Sequence, residues 1–210
     1  MCADALFLME NTYYGELSVI GMPGCEKFVE EVDSYLHEWR GSRGSTSYIV
    51  APECKRFGNG EGKAVLHESM RGHDVYIIAD MYNYSVRYKM YGTEYPMSPD
   101  DHFADLKRVI NAIAGKARRI TVIMPMLYES RQDKRPMLSD LRESGAIEQD
   151  ADVVIGLYRD GYYNKECENP NLAEAIVLKN RKGSTGTVEL SWLPEYTSFG
   201  SVEKRRDDEY

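Results

Sequence analysis

One segment of the sequence restricts the fold more than any other, because it reads as strand, helix and strand in succession. Asp74–Ala79 (DVYIIA) is a short apolar run of the buried-strand type, and Ile120–Met126 (ITVIMPM) is a second such run. Between them, Ser98 is a helix N-cap and Pro99 fits the first helical position. Strands joined by a helix pair in parallel, so the sequence predicts an α/β fold with a parallel sheet.

The helix that starts after Ser98 combines an apolar face with a basic end. Cations at the carboxyl end of a helix complement its dipole, and an apolar face packs on a sheet. The face is predicted to contain Phe103, Leu106, Val109, Ile110, Ile113 and Ala117, and the basic end Lys116, Arg118 and Arg119.

A second amphipathic helix is predicted over Cys25–Arg40, ahead of a turn-rich break at Gly41–Ser47. Strands are expected at Tyr48–Val50 and around Lys63–His67. The apolar face of the helix contains Phe28, Val29, Val32, Tyr35, Leu36 and Trp39. The tyrosine-rich stretch Tyr82–Tyr95 would suit base stacking, but a structural, buried role is favoured.

The pattern changes after Pro136, where short elements follow one another. A short helix or loop is predicted over Ser139–Asp150. Strands are predicted at Val153–Tyr158, Ala175–Lys179 and Thr187–Trp192. The tail EKRRDDEY is expected to be solvated.

Composition places the chain among soluble globular proteins. It has 210 residues, of which 42% are hydrophobic and 29% charged, and a net charge of −8, which opposes a broad nucleic-acid-binding surface. The four cysteines, Cys2, Cys25, Cys54 and Cys167, are scattered, so reduced thiols are expected and a zinc site is not. The first residues lack a signal peptide's basic segment, and the apolar runs are too short to span a bilayer. A cytoplasmic protein is expected.

Three segments together resemble one enzyme family. Arg56–Lys63 (RFGNGEGK), His67–Asp80 (HESMRGHDVYIIAD) and Ala104–Arg135 look like the N-terminal domain of ribose-phosphate pyrophosphokinase, the phosphoribosyl-pyrophosphate synthetase family. The resemblance covers nearly all of residues 1–135. It implies a phosphoribosyltransferase-like parallel sheet with flanking helices. It also implies synthesis of phosphoribosyl pyrophosphate from ATP and ribose 5-phosphate, in nucleotide biosynthesis.

The resemblance assigns an ATP site residue by residue. In the family, an F-x-D-G-E loop reaches across a subunit contact to the adenine of ATP, and an Arg-Gln pair contacts the nucleotide. The matching residues here are Phe57, Asn59, Glu61, Arg131 and Gln132, with Asn59 in place of the usual aspartate. An aromatic ring can stack on a base, a carboxylate can accept from its exocyclic amine, and arginine binds phosphate oxygens in a fork. ATP and Mg are therefore expected by family resemblance.

Other properties of this part limit the activity that is expected. GNGEG by itself is typical of an ordinary glycine-rich turn. A P-loop would need glycine at Phe57 and a hydroxyl at Ala64, so that interpretation fails. The family's metal-ligating histidine, catalytic Lys-Arg loop and ribose-5-phosphate loop have no counterparts. Because phosphoryl transfer depends on such groups, no pyrophosphokinase activity is expected.

A second resemblance begins where the first ends. Arg131–Asn164 and Ala173–Phe199 are similar to the C-terminal end of the RecA-like motor of DnaB-type replicative DNA helicases. The resemblance implies a partial RecA-like segment of short helix and strands. In the family, an LRESG loop contacts single-stranded DNA and a K-x-R finger reaches the nucleotide of the neighbouring subunit. The matching residues are Arg142, Glu143 and Gly145 for the loop, and Lys179 and Arg181 for the catalytic finger.

The partners implied are ATP, single-stranded DNA and further copies in a homo-oligomer, as in both families. The alternative for Lys179 and Arg181 is a solvated strand end before a hairpin. The sequence has no Walker A lysine and no Walker B aspartate, so autonomous unwinding is not expected, and enzymatic activity is left open.

Both families carry a string close to RQDKR, which is Arg131–Arg135 here. No Gly-, Ser- or Pro-rich linker accompanies it. The sequence therefore predicts a chimera joined inside this string, with a pyrophosphokinase-like domain at 1–135, a helicase fragment at 136–199 and a charged tail at 200–210. Either it is a functional gene fusion, or the join arose by recombination or sequence assembly.

Overall fold

The chain divides into two compact units, Met1–Leu127 (unit 1) and Tyr128–Tyr210 (unit 2). The computed structural model describes residues 15–41, 46–125, 134–139, 141 and 146–202. In these parts of the chain, no helix is both long enough and apolar enough to cross a lipid bilayer.

Unit 1 is built around a three-stranded parallel sheet in the order β1–β4–β7. The strands are β1 (Leu17–Gly21), β4 (Asp74–Ile78) and β7 (Arg119–Ile123). Central β4 is the most buried of the three, since Val75 and Ile77 are both 0% exposed. The parallel sheet confirms the predicted α/β fold.

The connection from β4 to β7 contains helix α2 (Pro99–Ile113), which begins where the sequence predicts. The Ser98 hydroxyl accepts from the Asp101 N–H at 3.2 Å, and the Asp101 carboxylate accepts from the Ser98 N–H at 3.0 Å. This reciprocal capping box satisfies two backbone donors that the first turn leaves without intrahelical partners. Leu106, Val109 and Ile113 form the buried face, as predicted.

The carboxyl end of α2 differs from the prediction. Ala114 adopts a left-handed conformation (φ 57°) and ends the helix, so Ala117 and the three predicted cations lie beyond it. Arg119 begins β7 instead and donates to both oxygens of Asp74, at 2.8 and 2.5 Å. The cation therefore joins two strands and does not complement the helix dipole.

Helix α1 (Glu26–Trp39) confirms the helix predicted over Cys25–Arg40, although its buried face is narrower than expected. Val29 is 1% exposed and lies in a cluster with residues of β1 and β4, against which Val32 and Leu36 pack. Tyr35 and Trp39 are 73% and 76% exposed, so the prediction that they belong to the buried face is wrong.

Two antiparallel hairpins complete unit 1. One pairs β2 (Glu53–Arg56) with β3 (Gly62–Val65), and the other pairs β5 (Arg87–Met90) with β6 (Thr93–Pro96). The predicted strand at Tyr48–Val50 is a single parallel bridge between Ile49 and Val19.

The β5–β6 hairpin was not predicted, although Val86–Met90 (VRYKM) alternates apolar and polar residues and β5 alternates exposed and half-buried positions accordingly. Four tyrosines of the stretch Tyr82–Tyr95 are exposed, contrary to the buried role expected for it: Tyr82, Tyr84, Tyr91 and Tyr95.

Unit 2 is a four-stranded antiparallel sheet in the order β11–β10–β9–β8. Its elements are α3 (Ala146–Asp150), β8 (Val153–Tyr158), α4 (Asp160–Tyr163), β9 (Leu172–Asn180), β10 (Gly186–Leu193), a 3₁₀ turn (Pro194–Tyr196) and β11 (Ser198–Ser201). The three predicted strands are confirmed, whereas β11 was missed. Ala173, Ile176 and Leu141 are buried.

Candidate nucleotide-binding site

The turn between β2 and β3 brings together three residues that the sequence assigns to ATP. The Phe57 N–H donates to the Glu61 carbonyl at 2.8 Å, and the Gly60 N–H donates to the Phe57 carbonyl at 2.8 Å. Gly60 has a φ of +90°, the left-handed conformation that completes a three-residue hairpin loop. The Asn59 side-chain oxygen accepts from the Glu61 N–H at 3.0 Å, so the turn is fixed by its own hydrogen bonds.

The side chains on this turn are open to solvent. Phe57 is 50% exposed, and Asn59 and Glu61 are also exposed. Since the Asn59 oxygen is used within the turn, its amide nitrogen is the group suited to a ligand. An exposed ring, an amide donor and a carboxylate acceptor on one turn suit the face and edge of a purine base.

A buried charge cluster holds this hairpin against α2. Asp105 is 4% exposed and accepts from Arg56 Nη1 at 2.8 Å and from Arg108 Nη1 at 2.7 Å. The Arg56 guanidinium also lies 5.1 Å from the centre of the Tyr88 ring on β5. Arg56 therefore contacts the helix and both hairpins.

Sequence reasoning did not identify this cluster, although one signal was present. Asp105 lies four residues before Val109, which places it on the face of α2 predicted to be apolar. A carboxylate at such a position needs a charged partner, because an isolated buried charge is very unfavourable.

The cluster also affects its neighbouring thiol. Burial raises the pKa of Cys54 to about 11, and the negative charge of Asp105 adds to the increase. The Cys54 thiol is therefore protonated at neutral pH and is a poor nucleophile.

In unit 2, Lys179 lies at the end of β9, and Arg181 directly follows the strand. Lys179 Nζ donates to the carbonyls of Glu148 and Gln149, at 2.5 and 3.2 Å, and Arg181 Nη2 also donates to the Gln149 carbonyl. Arg181 Nε lies 3.5 Å from a carboxylate oxygen of Asp152. Both cations thus satisfy carbonyl groups at the carboxyl end of α3, where helices lack intrahelical donors.

The other predicted site residues, Arg131, Gln132, Arg142, Glu143 and Gly145, lie outside the described residues. Among the residues that are described, no three His, Cys, Asp or Glu side chains are grouped so that they could hold a metal ion.

Two family models match the chain. The family described as the N-terminal domain of ribose phosphate pyrophosphokinase matches residues 17–143, which is more than half of the chain. The family described as the DnaB-like helicase C terminal domain matches residues 104–201. The matches overlap at residues 104–143, a region that includes the shared string Arg131–Arg135.

Curated relatives match on the helicase side. The replicative DNA helicase DnaB of Geobacillus stearothermophilus is 47% identical over 108 residues, covering 50% of this chain and 24% of that protein. The replicative DNA helicase DnaC of Bacillus subtilis (strain 168) is 48% identical over 108 residues, with the same coverage. The chain therefore spans about a quarter of the length of these relatives.

Among solved structures, one described as an ATPase domain is similar to the chain, with a TM-score of 0.52 and 26% sequence identity. The similarity covers 90% of this chain and 75% of that domain. It agrees with the mixed α/β fold class.

Proposed function

Since the chain belongs to the family of ribose-phosphate pyrophosphokinase N-terminal domains and continues into a DnaB-like helicase C-terminal segment, we propose that it is a composite protein that binds adenine nucleotide without transferring its phosphates. Phe57, Asn59 and Glu61 contact the base of ATP, and Arg131 with Gln132 contacts the rest of the nucleotide. The observation that carries this proposal is the β2–β3 turn, which exposes its ring and carboxylate while Arg56 and Asp105 fix the hairpin.

The described residues fit the adenine base better than they fit a bound Mg ion. The turn offers a stacking surface, a donor and an acceptor for adenine. For Mg, the described residues offer no grouped set of ligands, so none of them is assigned to the ion. The family's catalytic loop and metal-ligating histidine also have no counterparts in the sequence. We therefore propose nucleotide binding alone for unit 1, and we assign no phosphoryl-transfer step to it.

Isothermal titration of the full chain with ATP tests the proposal. Binding is expected at millimolar ATP or below. Phe57→Ala should weaken it about 5- to 100-fold, because stacking of a base on an aromatic ring contributes about 1–3 kcal/mol. Arg131→Ala should also weaken it. Phe28→Ala on α1 is the matched control, since Phe28 and Phe57 are 49% and 50% exposed. Absence of binding at millimolar ATP, or an equal effect of both phenylalanine variants, would contradict the proposal.

A second candidate function belongs to unit 2, and the convergence of Lys179 and Arg181 on one helix end favours it. In this proposal unit 2 associates with a helicase subunit, where a phosphate of that subunit's nucleotide replaces the α3 carbonyls as acceptor for the two cations. Arg142, Glu143 and Gly145 then contact the backbone of single-stranded DNA.

The expected result is salt-sensitive retention of the chain on single-stranded DNA, because phosphate contacts release counterions. Arg142→Ala should reduce retention and flatten its salt dependence, whereas Arg71→Ala, the same charge change on the surface of unit 1, should not. No retention at low salt would remove this second function and leave the first unaffected.

A further inference from the structure

The turn of the β5–β6 hairpin presents an aromatic side chain in an unusual backbone conformation. Tyr91 and Gly92 form a two-residue turn, and their φ angles are 48° and 83°. Two successive positive φ angles define a turn type that Asn-Gly and Gly-Gly sequences favour. A tyrosine is strained in this backbone conformation. Tyr91 is 80% exposed, so its ring is not held in place by a core.

This turn is hydrogen-bonded to the turn that carries the candidate ATP residues. The Tyr91 N–H donates to the Gly58 carbonyl at 2.9 Å. On the same side, a methyl group at Gly60 would lie 2.8 Å from Met90 Sδ, so the Met90 side chain packs directly on Gly60. The two turns therefore form one continuous surface.

Arg56 fixes the position of this surface on α2. Its guanidinium pairs with Asp105 on α2 at 2.8 Å and lies against the Tyr88 ring on β5 at 5.1 Å. Both hairpins are thereby attached to the same side chain, and the hydrogen bond from the Tyr91 N–H to the Gly58 carbonyl joins their turns.

Two exposed aromatic rings flank this junction. Phe57 precedes Gly58 in the chain, and Tyr91 is hydrogen-bonded to Gly58, with exposures of 50% and 80%. A planar base between two rings needs them about 7 Å apart, which is twice a van der Waals contact of about 3.5 Å. The backbone segments that carry the two rings are neighbours, since the Tyr91 N–H donates to the Gly58 carbonyl.

We propose that Tyr91 forms a second aromatic contact for the base of the bound nucleotide, opposite or beside Phe57, so that the two turns together bind a purine. This inference rests on the proposed nucleotide binding by unit 1, and it adds a residue that the sequence resemblance did not assign. A two-ring contact favours the larger ring system of a purine over a pyrimidine, because stacking grows with the overlapping area. ATP should therefore bind more tightly than CTP.

The test uses a substitution that removes the ring and keeps the turn. Tyr91→Asn places a residue with a high preference for positive φ at this position, so the hairpin is retained or stabilised. By isothermal titration of the full chain, Tyr91→Asn should weaken ATP binding about 5- to 100-fold. Tyr91→Phe should stay within about twofold of the unsubstituted chain, because stacking needs the ring and not the hydroxyl. Tyr35→Ala, which removes a 73% exposed tyrosine from α1, is the matched control and should have no effect.

The outcomes distinguish the role of Tyr91 from the proposed nucleotide binding by the β2–β3 turn. If Phe57→Ala weakens ATP binding and Tyr91→Asn does not, the role of Tyr91 is refuted and nucleotide binding by the β2–β3 turn stands. If the unsubstituted chain binds no ATP, both are refuted. Loss of binding in Tyr91→Asn with full retention in Tyr91→Phe, at an unchanged thermal midpoint, supports the inference.

Discussion

The Asp105 carboxylate holds the β2–β3 hairpin against α2 through a buried ion pair with Arg56. It accepts from Arg56 and Arg108, at 2.8 and 2.7 Å, and it is 4% exposed. Asp105→Asn keeps the side-chain volume but removes the charge, so Arg56, whose side chain is 9% exposed, loses its nearest counter-ion. Asp101 is a second carboxylate near Arg56: its Oδ1 lies 3.7 Å from Arg56 Nη2, while its Oδ2 accepts the Ser98 N–H of the α2 cap.

The expected loss can be worked from these contacts. Removing one partner of a buried ion pair costs about 3–5 kcal/mol, because the remaining charge stays buried. Since Asp101 offsets part of this cost, we expect about 3 kcal/mol, the lower end of that range. A loss of about 3 kcal/mol in the free energy of local opening speeds amide hydrogen exchange about 100-fold.

Hydrogen exchange followed by mass spectrometry measures this locally, in peptides that cover β2 and β3. The matched control is Asp100→Asn, the same chemical change at an exposed position of the same helix, which should alter exchange in these peptides less than about threefold. Less than tenfold faster exchange in Asp105→Asn would refute the argument that this ion pair fixes the hairpin.

A double substitution distinguishes charge from packing. Arg56→Met combined with Asp105→Leu replaces the buried pair with apolar side chains of similar volume, which is often neutral or stabilising. Exchange in β2 and β3 should therefore return most of the way toward the unsubstituted rate. If the double variant exchanges as fast as Asp105→Asn alone, the hairpin depends on the specific hydrogen bonds and not on removal of an unpaired charge.

Three further predictions concern other contacts. Ser98→Ala removes the hydroxyl that accepts from the Asp101 N–H but keeps the bond from the Ser98 N–H to the Asp101 carboxylate. It should lower the free energy of unfolding of unit 1 by about 1 kcal/mol in urea denaturation, whereas Ser98→Asp should retain most of this stability. Alkylation of Cys54 should remain slow up to pH 9 and rise toward a midpoint near pH 11, as followed by mass spectrometry; a plateau by pH 9 would contradict the raised pKa. The pKa of Cys54 is higher in the folded than in the unfolded chain, so protonation of this thiol contributes to the free energy of unfolding. The contribution is complete below the unfolded pKa and is lost as the pH rises through the folded pKa. Lys179→Met should speed exchange of the α3 amides about tenfold, since hydrogen bonds from a charged group contribute about 1.5–3 kcal/mol.

Local signals in the sequence predicted a large part of unit 1. Ser98, Pro99 and the spacing of Leu106 and Val109 determine where α2 begins and which face it buries, because capping and periodicity act over a few residues. The apolar run of β4 likewise determines a buried strand. These features depend on neighbours in the chain, so no knowledge of the tertiary structure is needed to identify them.

The remainder depended on contacts between distant parts of the chain. Arg56 and Asp105 are separated by 49 residues, and nothing near either one in sequence specifies the other. The end of α2 was predicted too late, because a left-handed Ala114 is rare, although Gly115 directly after it (φ 62°) is a typical helix-stop residue. The turn at Tyr91 was missed for a similar reason: its conformation favours Asn or Gly, and the sequence provides a tyrosine.

The overlap of the two family matches has a physical reason in the β4–α2–β7 connection. Residues 104–143 match both families, and they contain most of α2 and all of β7. A helix that packs on a parallel sheet and the strand that follows it are constrained in the same way in any α/β protein: apolar residues at helical spacing, then a short buried strand. A join after β7 therefore leaves that connection complete, with β7 still paired to β4 and Arg119 still bound to Asp74. All three strands of the parallel sheet lie before the join, since β1 pairs with β4 and β4 with β7. Failure to bind ATP would therefore count against the residues assigned to the nucleotide, on the β2–β3 turn and at Arg131 and Gln132, and not against the sheet.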